Sequence, residues 1–286
     1  MKRSVTSSFG VGKRECHDSS SFYARSLYNS KIIDSNTILN DFPTSLKNKI
    51  IHHSSEDMSE IPDNSVSFMV TSPPYNVGKE YDTDIPLDVY FEFLKKVLFE
   101  TFRVLVPGGR IAFNVANLGR KPYIPLNTFI SNIAAEIGYL MRGEIIWVKA
   151  NGASGSCAWG SWMSANNPVL RDLHEYILIF SKGQFSRISK GVSTISRDEF
   201  MAATTSIWSI SPESAKRIGH PAPFPVALVE RLINLYTFEG DVVLDPFMGS
   251  GSTAVAAVKT NRIFVGYEIF EEYIDLCYNR VSGVMK

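Results

Sequence analysis

Two stretches carry residue types and spacings that could do chemistry together. The first is Thr71-Ser72-Pro73-Pro74-Tyr75-Asn76, which follows the apolar run Val66-Ser67-Phe68-Met69-Val70 and so falls where a strand ends. Neither proline has an N–H for a sheet ladder and both fix the backbone, so the loop holds its carbonyls and flanking side chains in set directions. Taken alone, such a pair also makes a plain rigid exit turn. The second stretch is Asp245-Pro246-Phe247-Met248-Gly249-Ser250-Gly251-Ser252-Thr253, set between a short apolar strand at 241–244 and a helix beginning at 254. The next strand, 263–267, ends at Glu268, 23 residues after Asp245. A strand, a glycine-bearing turn, a helix and an acid at the next strand end are how α/β sheets hold a nucleoside. The glycines let the backbone approach the ligand and the acid takes ribose hydroxyls. The turn reads GxG and not GxGxxG, which favours a nucleoside without phosphates over a dinucleotide.

The elements that must position these loops are legible as periodicities. Residues 88–103 place Val89, Phe91, Leu94, Val97, Leu98 and Phe102 at helical spacing. Pro107-Gly108-Gly109 reads as a tight turn before a strand at 110–115. A helix is expected over 126–140, strands over 144–149 and 175–180, and a helix over 226–236 after Pro221, Pro223 and Pro225. The last helix runs from about 271 to 281. A short strand at 49–53 puts His52 and His53 on opposite faces, which makes them poor partners for one metal.

The totals set limits. A chain of 286 residues holds one large α/β domain or a domain with a small insert. Its 44% hydrophobic and 20% charged content is that of an ordinary globular enzyme. The formal net charge is zero, so any surface for nucleic acid must be local. Cys16, Cys157 and Cys277 form no CxxC pair, which argues against a zinc site or a disulfide framework and suits a reducing cytoplasm. No apolar run reaches membrane-spanning length, and Lys2 and Arg3 have no apolar region behind them as a secretory signal would.

Residues 1–30 read as a poorly ordered N-terminal arm, with Phe22, Tyr23 and Tyr28 able to pin part of it to the core. Residues 78–84 read as polar and flexible. Residues 150–170 are rich in Gly, Ser and Asn but carry Trp159 and Trp162, so a functional loop is expected there. In 181–219 the pattern breaks up, with Lys182, Arg187, Lys190, Arg197, Lys216 and Arg217 against Asp198, Glu199 and Glu213. That segment is either a solvated insert or a small basic unit that tracks phosphates through Lys182, Arg187, Lys190 and Arg197. The division expected is thus 31–180 and 220–286 as two parts of one α/β domain, with 181–219 as an insert for target recognition.

TSPPY together with DPFMGSGST and its downstream acid resembles the amino DNA methyltransferases, which use S-adenosylmethionine to methylate cytosine N4 or adenine N6. The SPPY loop precedes the glycine loop, which resembles the beta-type order of that family, and the likeness covers about 50–281. His220-Pro221-Ala222-Pro223-Phe224-Pro225 resembles a further cofactor-side motif. One departure stands at 51–55, where the family often has a Gly-Asp pair and this chain has His53 and Ser54. The resemblance implies a Rossmann-like methyltransferase fold: a mostly parallel sheet with helices on both faces, permuted motif order and a small irregular insert.

The resemblance also implies roles. An exocyclic amino nitrogen is a poor nucleophile because its lone pair is delocalised into the ring. Acceptors on Ser72 and the Pro73 carbonyl would hold its two N–H bonds, and position and fixed dipoles would supply most of the rate. Pro74 stiffens the loop, and Tyr75 would stack on a base flipped out of duplex DNA. Pro246, Phe247, Gly249 and Gly251 would line the cofactor, and Glu268 would take the ribose. Asp245 would orient the loop or meet the methionine amine, and Thr253 would cap the helix or touch the ligand carboxylate. Serine at the first motif position resembles the cytosine-N4 type, with adenine N6 as the alternative. RNA or protein-glutamine methylation and a non-catalytic nucleic-acid binder are further alternatives. The partners implied are double-stranded DNA and a cognate restriction endonuclease, in a bacterial or archaeal cytoplasm near the nucleoid, for a monomer or homodimer with no metal.

Overall fold

The computed structural model describes residues 37–76, 85–119, 122–149 and 160–285. The N-terminal arm, the 78–84 stretch, Cys16, Cys157 and Trp159 lie outside the described residues. The centre is an 8-stranded sheet in the order β1-β8-β7-β2-β3-β5-β4-β6. Its strands are β1 (Lys49–Ile51), β2 (Val66–Thr71), β3 (Leu105–Val115), β4 (Tyr139–Val148), β5 (His174–Lys182), β6 (Ile207–Ser209), β7 (Val242–Asp245) and β8 (Ile263–Tyr267). The helices are α1 (Leu87–Val104), α2 (Leu126–Ile137), α3 (Arg197–Ala203), α4 (Ala215–Ile218), α5 (Val226–Tyr236), α6 (Ser252–Lys259) and α7 (Glu271–Val284). Only β5 runs against its neighbours β3 and β4; the other pairings are parallel.

β2 is buried along its whole length between β3 and β7, which is why it reads as a continuous apolar run and not an alternating one. Its two hydroxyl residues are spent on β7 and the residue just before it. Ser67 Oγ donates to Asp241 Oδ1 at 3.0 Å, and Thr71 Oγ1 donates to Asp245 Oδ1 at 2.6 Å. From β2 the chain moves through α1 to β3 on one side; from β7 it moves through α6 to β8 on the other. The carboxyl ends of β2 and β7 are therefore the point where strand order reverses, and a crevice must open there. Apolar clusters cover both faces of the sheet, one holding Leu94, Phe113 and Tyr139, the other Trp147, Trp208 and Leu228.

Three elements differ from expectation. Pro107-Gly108-Gly109 is not a turn between elements but a bulge inside β3, where 105–110 lies against 66–68 of β2. Gly108 sits at φ +74, and a Cβ there would lie 2.8 Å from the Arg187 amide nitrogen. α2 stops at Ile137 because Gly138 takes the left-handed conformation and closes the helix, so β4 begins at Tyr139. Residues 181–219 are irregular in part but tied into the domain: Lys182 ends β5, β6 pairs with β4, and Ala203 and Trp208 are buried in the core. Among the described residues, no helix is long and apolar enough to cross a membrane.

Candidate active site

Ser72 follows β2 and Pro246 follows β7, and both line one cavity of about 690 Å³ at the reversal point. That volume lies within the roughly 300–1,000 Å³ of small-molecule sites. The wall includes Pro73, Pro74, Tyr75, Asp245, Phe247, Gly249, Thr253 and Glu268, so two loops distant in sequence face a common space.

The SPPY loop is fastened from three sides. Tyr90 on α1 donates to the Pro74 carbonyl at 2.7 Å. Asn76, at φ +56, holds both backbone groups of Ile85, accepting from its N–H at 2.8 Å and donating to its carbonyl. Behind the loop lies a polar cluster that sequence reading did not assign. Ser72 Oγ is 3.1 Å from the Tyr75 hydroxyl, which donates to Glu175 Oε2 at 3.2 Å. Asn114 Nδ2 reaches Glu175 Oε2 at 2.6 Å, the Tyr75 hydroxyl at 2.8 Å and Ser72 Oγ at 3.3 Å. Lys149 ion-pairs with Glu175 Oε1 and lies 5.2 Å over the Trp147 ring. Burial and the Glu175 charge push the Tyr75 phenol well above its ordinary range. The Tyr75 ring lines the cavity while its hydroxyl is anchored inward.

On the other wall, Asp245 is buried and acts as a hub. It accepts from Thr71, from Thr253 Oγ1 at 2.6 Å and from the Phe247 amide at 3.0 Å. Burial raises its carboxyl to about 7 against the pull of those donors. Asp245 and Thr253 thus hold the loop to β2 and to the start of α6. Glu268 accepts from the amides of Gly249 (2.7 Å), Ile269 (2.9 Å) and Phe270 (3.0 Å). A carboxylate offers about four acceptor positions, so one remains for a ligand hydroxyl. Burial raises this carboxyl too, against the three amides.

The two glycines differ in purpose. Gly249, at φ +48, faces His220, whose Nε2 would be 3.1 Å from an added Cβ. Gly251, at φ +80, is pressed against α7, where an added Cβ would lie 2.7 Å from Cys277 Cβ. His220, Pro221, Ala222, Pro223 and Phe224 all line the cavity, with Phe224 edge-on to Trp147 at 6.1 Å. In place of the family's Gly-Asp pair, His53 Nε2 meets Glu60 Oε1 at 2.6 Å and Ser54 Oγ donates to Glu56 at 3.2 Å. The Glu60 contact raises the His53 imidazole above its ordinary value.

The four basic residues assigned to DNA contact are not brought to this cavity. Lys182 is 5% exposed, donates to Asn64 Oδ1 at 2.7 Å and to the Arg103 carbonyl at 3.0 Å, and is pushed down to about 8 by burial. Arg187 is half-buried and ion-paired with Asp241 at the start of β7, opposite the Asp245 end. Lys190 and Arg197 are exposed but lie toward that same far edge. Gly191 abuts Phe238 before β7, and Glu199 of α3 meets Asn234 in the last turn of α5. Lys182 and Arg187 are structural cations, and a count of charges along the chain does not reveal which edge of the sheet they occupy. Among the described residues, no group of three or more His, Cys, Asp or Glu side chains could hold a metal.

The DNA methylase family model (N6_N4_Mtase) matches residues 66–279. The chain belongs to this family. The type II methyltransferase M.BglII of Bacillus subtilis is 30% identical over 262 residues, covering 87% of this methylase and 72% of that protein. M.MthZI of Methanothermobacter thermautotrophicus is 30% identical over 275 residues, covering 83% and 77%. Among solved structures, TTHA0409 of Thermus thermophilus, solved with S-adenosyl-L-methionine, is 29% identical with a TM-score of 0.65 over 80% of this chain and 92% of that one. The cytosine-N4-specific PvuII methyltransferase shares the fold, with a TM-score of 0.65 at 19% identity. The methylase is an S-adenosylmethionine-dependent DNA methyltransferase of the N4/N6 type with the Rossmann-like fold. Its residues fit that cofactor: Gly249 leaves a gap before His220 that a side chain would narrow, Phe247 packs on Phe93 beside the cavity, and Glu268 keeps an acceptor position.

Proposed function

We propose that this methylase modifies the exocyclic N4 of a cytosine flipped out of duplex DNA, as the modification partner of a type II restriction endonuclease. The observation that carries the reading is the shared cavity: a serine hydroxyl on a proline-stiffened loop opens into the same space as the nucleoside loop. Bound S-adenosylmethionine supplies an electrophilic methyl group. Ser72 Oγ and the Pro73 carbonyl accept the two amino N–H bonds and orient the nitrogen, with Trp147 and Phe224 as an apolar part of the wall. The Tyr75 ring faces the extruded base with its hydroxyl held from behind. Phe247, Gly249 and Glu268 hold the cofactor, while Asp245, Thr253 and Pro246 hold the loop. Phosphates are met by Lys216 and Arg217, which are exposed on α4, where Ala215 lines the cavity.

The test is methylation of duplex DNA with labelled S-adenosylmethionine, followed by digestion to nucleosides. Labelled N4-methylcytosine is the expected product. N6-methyladenine would overturn the choice of base, and label on protein or RNA but not DNA would overturn the substrate.

A further inference from the structure

The cluster behind Ser72 decides a question that the SPPY loop alone leaves open. A serine hydroxyl both donates and accepts, and its hydrogen rotates to suit its neighbours. To hold an amino group it must present a lone pair, not a hydrogen.

Glu175 is 7% exposed and stands near the start of β5. Its carboxylate, ion-paired with Lys149, accepts and does not donate. The Tyr75 phenol keeps its proton, since burial and the neighbouring charge both oppose its loss. It gives that single hydrogen to Glu175 Oε2 at 3.2 Å. The 3.1 Å contact between Ser72 and Tyr75 is then made with Ser72 as donor. Asn114 cannot reverse this. Its side chain is held with Nδ2 toward Glu175 at 2.6 Å, because the amide oxygen would be repelled there; its second hydrogen lies between the Tyr75 hydroxyl at 2.8 Å and Ser72 Oγ at 3.3 Å, so toward Ser72 it offers a shared donor and no acceptor. One lone pair of Ser72 remains for a substrate.

We infer that Glu175 is a positioning residue: acting through the Tyr75 hydroxyl, it turns the Ser72 hydrogen into the protein and fixes Ser72 as an acceptor toward the target amino group. Lys149 completes the device by holding the carboxylate on the side of β4. The inference rests on an exocyclic amino group as substrate and is the same for cytosine and adenine.

The test uses the 286-residue chain and three variants: Glu175→Gln, Tyr75→Phe and the double variant. An amide at 175 can donate as well as accept, so the direction of the chain is no longer set. Phenylalanine keeps the ring and removes the Ser72 acceptor. Each single variant is expected to lose roughly 10- to 100-fold in kcat, the size of one hydrogen bond to a charged group. KM for DNA and for S-adenosylmethionine should stay within about twofold, and the double variant should lose no more than the worse single one, because both act through one chain. Thermal melting and cofactor binding by calorimetry are read alongside. Wild-type kcat in Glu175→Gln, losses that multiply in the double variant, or a collapse of cofactor binding or melting temperature would each overturn the assignment. Product analysis of the wild type separates this from the base reading. N6-methyladenine corrects the base and leaves the Glu175 comparison intact, whereas an unmethylated product removes both.

Discussion

Gly251→Ala separates two reasons for a glycine in the loop after β7. If the glycine exists so that the backbone can approach a ligand, alanine should weaken cofactor binding and spare the fold. The structure gives a different reason. An alanine Cβ at 251 would lie 2.7 Å from Cys277 Cβ and 3.1 Å from Cys277 Cα, and closer still to the sulfur. The first two are the root of a side chain and the backbone of α7, which cannot swing away. The φ of +80 adds about 1–2 kcal/mol for a residue with a Cβ, and forced overpacking adds about 1–3 kcal/mol. The expected loss of stability is therefore about 2–5 kcal/mol. Urea unfolding of the apo protein reads it directly. Cys277→Ala removes the sulfur, so in a double-mutant cycle it should return about 1–2 kcal/mol to Gly251→Ala. Gly249→Ala is the contrast. Its Cβ meets the imidazole of His220, the far end of a side chain, so affinity for S-adenosylmethionine should fall while unfolding loses only the about 1–2 kcal/mol that its own φ of +48 costs a residue with a Cβ. Wild-type unfolding of Gly251→Ala with loss of the cofactor, or no relief from Cys277→Ala, would refute the packing account of Gly251.

Other expectations concern chemistry, pH and salt. Ser72→Ala should lower the single-turnover methylation rate by at least about tenfold with cofactor binding kept, because it deletes an acceptor that acts on the target and not on the donor; equal loss of cofactor binding would make Ser72 structural. The Asp245 carboxyl has a folded value of about 7 against an ordinary 3.8, so between these values the folded state keeps a proton that the unfolded chain has lost. Its stabilising contribution is full below about pH 4, declines through pH 7 and amounts to about 4 kcal/mol over that window. Asp245→Asn should flatten that part of a stability–pH curve from chemical denaturation, and an unchanged slope would reject the buried-carboxyl account. Replacing Lys216 and Arg217 by alanine should reduce the salt slope of DNA binding by about 1–2, whereas Lys190→Ala with Arg197→Ala should leave it unchanged; the opposite pattern would place the duplex on the far edge of the sheet.

What the sequence made legible was what local physics decides. The helical spacing around Leu94, Val97 and Leu98 is the buried face of α1, and the unbroken run 66–70 is a strand covered on both sides. Pro107-Gly108-Gly109 signals a turn locally, two glycines after a proline, while the strand on either side of them is paired with β2 only in the folded sheet. The basic residues show the same limit. Lys182 and Arg187 carry charges that reading along the chain sends to solvent, yet each is held by partners distant in sequence: Asn64 for one, Asp241 for the other. Glu175 left no local signal at all. It is a charged residue near the start of an apolar strand, and its meaning comes from a tyrosine 100 residues earlier, brought beside it by the antiparallel placement of β5 on β3.

The permuted order of the two motifs has no consequence for the site, and the clamps between β2 and β7 show why. Ser67–Asp241 and Thr71–Asp245 are each separated by 174 residues. Both bonds tie β2 to the β7 segment, one to the residue that enters β7 and one to its last, four residues apart on each side, so they specify one register and exclude a slip by one residue, which would turn the hydroxyls to the other face. Fixing that register brings Ser72 and Pro246, the residues that follow the two strands, to the same edge of the sheet. Thr71 is thus the hidden partner of the SPPY loop: its hydroxyl ties the acceptor loop to the carboxylate that also holds Thr253 and the Phe247 amide. A chain that entered the sheet in the opposite order would form the same crevice, because the site is defined by which strand ends meet and not by which is made first.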